Sequence, residues 1–186
     1  MSEHEDASVQ AGAHPALSAH VLLLREGCVL LTRRGPDASY APGLWHAGVA
    51  GKVDTGEDVV GAAVREAHEE LGVGLDPVDL GFAHVIHSQE SPHRDWVHFF
   101  FVCRLWSGTP VNNEPHKHTE IRWWPVREPP PDTVDYCAQA LGHLSAGVRF
   151  SRHRIRTTRP MVSAPAQNTP GPQRRSRPGP AQQEPG

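Results

Sequence analysis

Residues 51–73 of this 186-residue chain read GKVDTGEDVVGAAVREAHEELGV. At about 100° per residue along a helix, Glu66, Glu69 and Glu70 fall within an arc of roughly 100°. The apolar positions occupy a separate arc about 120° away; they are Val60, Ala63, Ala67 and Leu71. The segment therefore predicts a helix that packs with one face and presents three carboxylates to solvent on another.

Carboxylates this close together raise one another's pKa values, so their ionisation at neutral pH requires a compensating cation. Oxygen ligands favour Mg²⁺ or Mn²⁺ over Zn²⁺, and Mg²⁺ is commonly shared with substrate phosphates. A solvated helix face whose glutamates pair with Arg65 is the alternative interpretation of an isolated E-x-x-E-E. Turn residues at 54–56 and the helix-stopping Gly72 bracket the segment, and this wider pattern favours a metal site with a phosphate substrate.

Composition bounds the rest of the molecule. The length is that of one domain, no apolar run is long enough for a membrane span, and residues 1–14 lack the features of a secretory signal, so a cytoplasmic location is expected. Three widely spaced cysteines predict buried thiols, and they indicate neither a disulfide framework nor a zinc site.

The charge is unevenly distributed along the chain. The whole chain has a net charge of −3, and residues 151–186 contain seven arginines and one acid. This basic tail has too few apolar residues to fold, and the remaining acidic body disfavours nucleic acid as a partner.

Alternating and apolar runs predict strands at 19–24, 29–33, 44–53, 80–87, 95–105 and 120–126, and a second helix at 132–144. The first two strands should form a hairpin through the turn at 25–27. Val97, Phe99 and Phe101 alternate with Phe100 and Val102, which predicts a central strand covered on both faces. Strands of this kind with two helices are typical of a layered α/β domain.

Residues 51–73 resemble the Nudix box, G-x5-E-x7-R-E-U-x-E-E-x-G-U, in which U is apolar. Every fixed position matches, with the small Ala67 at the first U. The resemblance continues more weakly over residues 17–150, through LLTRR at 30–34, GLWHAGVAGKV at 43–53 and EPHKHTEIRWWPV at 114–126. It implies an α/β Nudix domain, an α/β/α sandwich around a mixed sheet, at residues 17–150. A flexible segment at 1–16 and a largely disordered tail at 151–186 would flank this domain.

The resemblance also implies roles for residues of the box. Glu66 would be a metal ligand or the catalytic base, and Glu69, Glu70 and the Ala50 carbonyl would be metal ligands. Glu57 and Arg65 would pair to hold the helix and its loop. An acidic residue outside the box often completes the metal shell in this family, and here the candidates are Glu114, which we prefer because it lies in a loop, and Glu120.

Residues outside the box are the candidates for substrate binding. The small residues of 48–51, Gly51 among them, allow a ligand to approach the backbone, and Lys52 and Lys117 could contact phosphate or base. One ring of the adjacent Trp123 and Trp124 could stack on a base, although core packing of both explains them equally well. Several histidines should rim the pocket, without the spacing of a zinc site; they are His87, His93, His98, His116 and His118.

The implied reaction is Mg²⁺-dependent hydrolysis of a pyrophosphate bond, with a small-molecule nucleotide as substrate. Markers of ADP-ribose and dinucleoside polyphosphate hydrolases do not match at Gln89 and Ser91, and only the start of a coenzyme A pyrophosphatase signature is present. Exclusion favours a MutT-like nucleoside triphosphate pyrophosphohydrolase, with oxidised guanine nucleotides one substrate to consider. Alternatives are an ADP-ribose or nucleotide-sugar pyrophosphatase, an RNA 5′-end pyrophosphohydrolase, and a nucleotide sensor without catalysis. Dimers are frequent in the family, which leaves a homodimer open.

Overall fold

A computed structural model describes residues 14–91 and 94–154. Its elements, in chain order, are β1 Ala16–Arg25, β2 Cys28–Arg34, β3 Trp45–Ala47, β4 Val49–Lys52, α1 Val59–Leu71, β5 Gly81–Ser91, β6 Arg94–Cys103, β7 His118–Pro125, α2 Asp135–Ala146 and β8 Phe150–Arg154. The predicted flexible N-terminal segment and disordered tail lie outside the described residues, except for 14–16 and 151–154. None of the helices in the described ranges is long and apolar enough to cross a membrane.

The eight strands pair in the order β3-β2-β1-β6-β5-β8, with β4 also beside β1 and β7 also beside β2. β1 runs parallel to β6 and β5 runs parallel to β8, whereas the other pairs are antiparallel. The sheet is therefore mixed, as predicted. Strand β8 was not predicted, because its residues FSRHR carry little apolar signal and it is placed by its pairing with β5.

Each face of the sheet is covered by one helix, because successive side chains of a strand point to opposite faces. Val21 and Leu23 of β1 pack with α1, whereas Leu22 and Leu24 pack with α2. Strand β6 shows the same alternation: Phe101 belongs to the α1 core and Phe100 to the α2 core. The predicted central strand and the predicted α/β/α sandwich are both confirmed.

The hairpin between β1 and β2 is also confirmed, with Arg25 opposite Cys28 and positive φ at Glu26 and Gly27. Residues 44–53, in contrast, are not one strand, and that prediction was wrong. The chain breaks at Gly48, so that β3 pairs with β2 and β4 pairs with β1. A Cβ at position 48 would lie 2.6 Å from the carbonyl oxygen of Leu30, so glycine permits the chain to change partners at this point.

Helix α1 is set by a cap at each end. The Asp58 carboxylate accepts hydrogen bonds from the backbone N–H groups of Val60 at 2.9 Å and Gly61 at 2.7 Å. Gly72 ends the helix in the left-handed conformation at φ 67°, as predicted. The N-terminal cap is thus Asp58, two residues after the predicted turn residues 54–56. Helix α2 begins at Asp135, three residues later than predicted.

Substitution Asp58→Ala should lower the free energy of unfolding by about 1 kcal/mol, because two N–H groups at the start of α1 lose their acceptor. Asp58→Asn keeps an acceptor oxygen and should lose markedly less. Urea unfolding of the three proteins measures the difference. Equal stability of the alanine and wild-type proteins would contradict the assignment of the cap.

Candidate metal and phosphate site

The site forms where α1 packs against β4. The backbone N–H of Ala50 donates a hydrogen bond of 2.9 Å to Oε2 of Glu70. One residue later, a Cβ at Gly51 would lie 1.8 Å from Cδ of Glu66. Only glycine at position 51 leaves room for that carboxylate, so the small residues of β4 bring the backbone directly against the acidic face of the helix.

Arg65 ties the helix to the loop before it. Its guanidinium forms two hydrogen bonds of 2.9 Å to the carboxylate of Glu57. It also contacts Glu66 at 2.7 Å and Glu69 at 3.2 Å, and donates to the carbonyl of Lys52 at 3.0 Å. The predicted pair of Glu57 and Arg65 is present, and its forked geometry is one that lysine could not reproduce.

Glu70 is buried, with 5% of its surface exposed, and the expectation that all three glutamates face solvent is wrong for this residue. The pKa of Glu70 is raised to about 8, mainly by burial; the nearby carboxylates of Glu66 and Glu114 contribute to the rise, and the Ala50 hydrogen bond and the charge of Lys117 oppose it. Burial is also the main cause that raises the pKa of Glu66. Glu69, by contrast, is exposed on the same helix.

Two residues that precede or begin β7 complete this acidic group. One ligand atom each of Glu70, Glu114 and His118 lies within 4.8 Å of the other two. Oε2 of Glu114 and Nδ1 of His118 are buried without a hydrogen-bond partner among the described residues. Glu120, the alternative to Glu114, pairs instead with Arg122.

These residues fit a divalent cation. Buried polar atoms without partners are rare in folded proteins and call for an explanation, and a cation beside Glu70 would also offset the burial of its charge. Carboxylates suit Mg²⁺, and an added imidazole nitrogen is compatible with Mn²⁺. The donor set therefore matches the metals expected from the sequence.

A cleft of about 480 Å³ opens over this group. Its wall includes Glu66 and Glu70 together with the basic residues Arg34, Lys52 and Lys117. Lys117 forms an ion pair of 2.7 Å with Glu114, whereas Arg34 and Lys52 pair with no carboxylate in the described part of the chain. Cations that are not neutralised by a carboxylate, beside a carboxylate cluster, are the arrangement that binds phosphate oxygens next to a metal.

A second cavity, of about 400 Å³, adjoins the cleft and shares Arg34, Ala50, Gly51 and Lys52 with it. Its deeper wall is made of histidine, serine and aromatic side chains, namely Ser18, His20, His46, Trp96, His98 and Tyr136. Strand register explains the connection, because Ser18 and His20 of β1 lie opposite Lys52 and Ala50 of β4. We call this space the inner cavity.

Two of the predicted substrate contacts lie elsewhere. The Trp123 ring stacks on Trp106 and the Trp124 ring packs edge-on against Trp45, so each tryptophan contributes to one of the two cores. Neither lines the cleft or the inner cavity. Of the histidines expected at the rim, His116 and His118 line the cleft and His98 lines the inner cavity, whereas His87 lines neither and His93 is outside the described residues.

Sequence reasoning missed Arg34 and most of the inner cavity. A signal was present, because His20 and His98 interrupt strands that are otherwise almost wholly apolar, LSAHVLLL and WVHFFFV. A buried histidine inside such a strand requires a hydrogen-bond partner. What the sequence could not give is the pairing of β1 with β6, which sets Ser18 opposite His98.

Substitution Gly51→Ala should weaken Mn²⁺ binding by about tenfold or more, because the new methyl group displaces the Glu66 carboxylate. Titration of the protein with Mn²⁺, followed by electron paramagnetic resonance, gives the dissociation constant. Gly142→Ala in α2 is the matched control, since a Cβ there meets nothing within 4 Å. Unchanged Mn²⁺ affinity of Gly51→Ala would remove Glu66 from the metal site.

Comparison with known proteins agrees with this geometry. A family model described as the NUDIX domain matches residues 14–140. Among solved structures, a MutT NUDIX hydrolase from Burkholderia pseudomallei superposes with a TM-score of 0.63 and 27% identity, over 69% of this chain and 97% of that one. A MutT protein from Methanosarcina mazei has the same fold, with a TM-score of 0.60 at 20% identity, over 71% of this chain and 94% of that one.

The curated relatives are named as isomerases, whereas the Burkholderia pseudomallei structure is named as a hydrolase. An isopentenyl-diphosphate Delta-isomerase of Cutibacterium acnes is 45% identical over 64 residues, which are 34% of this chain and 32% of that protein. One of Jannaschia sp. is 30% identical over 134 residues, 67% of this chain and 70% of that protein. The chain thus spans about a third of the first relative and 70% of the second. From the family match, the complete box and the fold, the chain belongs to the NUDIX domain family, with the structure of a MutT-like Nudix hydrolase.

Proposed function

We propose that this protein is a Mg²⁺-dependent hydrolase of a pyrophosphate bond in a nucleoside diphosphate linked to another group, with a nucleoside triphosphate as its substrate. The observation that carries the proposal is the meeting of opposite charges in one cleft. Glu66 and Glu70 offer oxygen ligands for a divalent cation, and Arg34 and Lys52 face the same space. A polyphosphate satisfies both sets of groups at once, because its oxygens bind metal and basic side chains together.

The basic residues would orient the polyphosphate. Arg34 is held by a hydrogen bond of 2.6 Å from Nε to the carbonyl of Tyr40, which leaves the other guanidinium nitrogens for phosphate oxygens. Lys52 approaches from β4, directly beside the glycine that contacts Glu66. Phosphates bound between these two side chains would lie against the acidic face of α1.

The glutamates would hold the metal and accept a proton. We assign Glu66, Glu69, Glu70, Glu114 and the Ala50 carbonyl to the metal shell, with His118 as an additional nitrogen donor. A bound cation would neutralise phosphate charge and lower the pKa of a water molecule. A carboxylate of this group would accept a proton from the water as the water oxygen bonds to phosphorus and the bond from phosphorus to the bridging oxygen breaks, so that the other phosphate group leaves. The Glu57–Arg65 pair would hold α1 against the loop before it.

The inner cavity favours a nucleotide as the substrate over a polyphosphate that has no attached group. It continues from the shared residues Ala50 and Gly51 and has the volume of a small-molecule site, for which about 300–1,000 Å³ is usual. A group attached to the bound phosphates can therefore enter it. Oxidised guanine nucleotides, ADP-ribose, nucleotide sugars and RNA 5′ ends differ in this group, so the test must include them.

A second candidate is isomerisation of isopentenyl diphosphate, which is favoured by the names of the curated relatives and by the 45% local identity to the one from Cutibacterium acnes. Both reactions need the diphosphate held by metal and cations, so the cleft is compatible with either. They differ in what enters the inner cavity: a polar heterocycle for the hydrolase, and a five-carbon hydrocarbon for the isomerase. The polar wall favours the former, because a hydrocarbon could not offer a hydrogen bond to Nδ1 of His20 or Nε2 of His98, which have no partner among the described residues.

With Mg²⁺ present, we expect phosphate or pyrophosphate release from at least one nucleoside triphosphate in a panel of canonical and oxidised nucleotides, ADP-ribose, nucleotide sugars, NADH, coenzyme A, dinucleoside polyphosphates and 5′-triphosphorylated RNA. Glu70→Gln should lower turnover about a thousandfold. The substitution keeps an acceptor for the Ala50 N–H while removing the negative charge.

Two further variants sharpen the result. Glu114→Gln should also lose most activity, whereas Glu120→Gln, which alters a glutamate paired with Arg122 away from the cleft, should retain it. Full activity of Glu70→Gln, or equal loss in the Glu114 and Glu120 variants, would contradict the metal assignment. Release confined to ADP-ribose or RNA would replace the triphosphate assignment and leave the hydrolase assignment in place.

For the second candidate, incubation with isopentenyl diphosphate and Mg²⁺ or Mn²⁺ should leave the alkene signals in the proton NMR spectrum unchanged. An isomerase would instead shift these signals without releasing phosphate. Conversion at a rate above that of any nucleotide hydrolysis would overturn the hydrolase proposal. The Glu70→Gln protein is the control for either outcome.

A further inference from the structure

Two residues of the candidate metal site come from one short segment outside α1. Glu114 and His118 are four positions apart, and the chain turns between them: the carbonyl of Glu114 accepts a hydrogen bond of 2.9 Å from the backbone N–H of His118. Oε2 of Glu114 and Nδ1 of His118 are the buried atoms without a partner in the described part of the chain. The backbone of residues 112–118 therefore decides whether both atoms reach Glu70.

The Asn112 side chain spans this segment. Its Oδ1 accepts a hydrogen bond of 3.2 Å from the backbone N–H of Glu114, and its Nδ2 donates one of 2.7 Å to the carbonyl of His118. The first contact is an Asx turn, in which the side-chain oxygen binds the N–H group two residues further on. The second contact reaches six residues along the chain. One amide group thus joins the backbones of Glu114 and His118.

These two contacts require an amide side chain. Asn112 must accept from an N–H group and donate to a carbonyl oxygen, and an ionised carboxylate has no hydrogen to donate. The same two partners determine which end of the amide is oxygen, because the reversed group would set its NH₂ against the N–H of Glu114 and its oxygen against the carbonyl of His118. Aspartate at this position would keep the Asx turn and lose the contact with His118.

The segment begins at an anchor on the C-terminal end of α1. The backbone N–H of Asn113 donates to the carbonyl of Glu70, and that of Val111 donates to the carbonyl of Leu71, both at 3.0 Å. Glu70 is the buried carboxylate that Glu114 and His118 have to reach, so the segment starts beside its target. Asn112 lies between the two anchoring N–H groups, from where its side chain extends along the segment.

We propose that Asn112 is a positioning residue of the metal site, whose amide holds Glu114 and His118 so that a carboxylate oxygen and an imidazole nitrogen bind the same cation as Glu70. This inference rests on the proposed function for the use of the metal, but metal binding is measured without turnover. Lys117 assists on the carboxylate side, because its Nζ holds Oε1 of Glu114 at 2.7 Å. That contact leaves Oε2 of Glu114 for a cation.

Pulsed electron paramagnetic resonance of bound Mn²⁺ tests whether the segment delivers a nitrogen ligand, since a coordinated imidazole modulates the echo through its ¹⁴N nucleus. The wild-type protein should show this modulation and His118→Ala should lose it. His116→Ala is the matched control and should keep it, because His116 is an exposed histidine of the same cleft. Absence of the modulation from the wild-type protein would overturn the proposal.

Substitution Asn112→Ala should weaken Mn²⁺ binding about tenfold and remove the ¹⁴N modulation, because Glu114 and His118 lose their common support. The neighbouring Asn113→Ala is the matched control, since its exposed side chain donates instead to the carbonyl of His68 at 3.4 Å. That variant should bind Mn²⁺ within about twofold of the wild-type protein. Equal Mn²⁺ affinity of the two variants would contradict a positioning role for Asn112.

Substitution Asn112→Asp separates positioning of the ligands from a purely structural turn. Aspartate forms an Asx turn as asparagine does, so a role confined to the turn predicts the wild-type ¹⁴N modulation in this variant. Positioning by the amide predicts its loss, because a carboxylate repels the carbonyl oxygen of His118. The aspartate variant also decides the matter if the alanine variant does not fold.

Wild-type modulation in Asn112→Asp would overturn the proposal. Loss of the modulation in this variant, together with wild-type protein that binds Mn²⁺ but hydrolyses no nucleotide, would support the positioning role and reject the proposed function alone.

Discussion

Burial of the Glu70 carboxylate against β4 is the constraint on which the rest of the site depends. The hydrogen bond from Ala50 holds this carboxylate at 2.9 Å, yet the neighbouring Glu66 and Glu114 have the same sign and raise its pKa. An uncompensated buried charge costs several kcal/mol, so the packing of α1 on β4 requires either a proton or a cation at this point. The helix interface and the candidate metal site therefore share one carboxylate.

The shortness of the side chains in β4 has a second consequence. Ala50 and Gly51 let the helix approach from one side, and they also line both the cleft and the inner cavity. Because β4 pairs with β1, His20 lies opposite Ala50 and Ser18 lies opposite Lys52. Two small residues of β4 thus lie between the acidic surface of the cleft and the neutral, hydrogen-bonding wall of the inner cavity, so that one ligand could contact both.

Local chemistry made part of this structure predictable. The spacing of apolar and acidic residues predicted the helix, Gly72 predicted its end, and alternation in β6 predicted a central strand, whereas the Glu57–Arg65 pair was implied by the resemblance to the Nudix box. Other features depend on where α1, β7 and β2 lie in space, which the local sequence does not determine. They are the burial of Glu70, the position of His118 beside it and the change of strand partner at Gly48. Trp123 and Trp124 illustrate a local pattern that has two interpretations. Their adjacency on a strand is compatible with base stacking, but β7 pairs with β2 and each ring lies in one of the two cores.

The two connected spaces differ in the charge they accept, and this difference bears on the choice of reaction. Arg34 and Lys52 line both spaces, and together with the carboxylates they make the cleft suitable for a metal-bound polyphosphate. The rest of the inner cavity is lined largely by aromatic rings and by imidazoles whose pKa values are lowered by burial, that of His46 to about 3. Neutral imidazoles carry no charge, and each has one nitrogen that donates and one that accepts a hydrogen bond, which suits an uncharged ligand with both kinds of group. A chain of phosphates joined to an uncharged heterocycle satisfies both spaces. A diphosphate joined to a short hydrocarbon satisfies only the first, which is why the nucleotide is the stronger candidate although the relatives with the isomerase name share more local sequence.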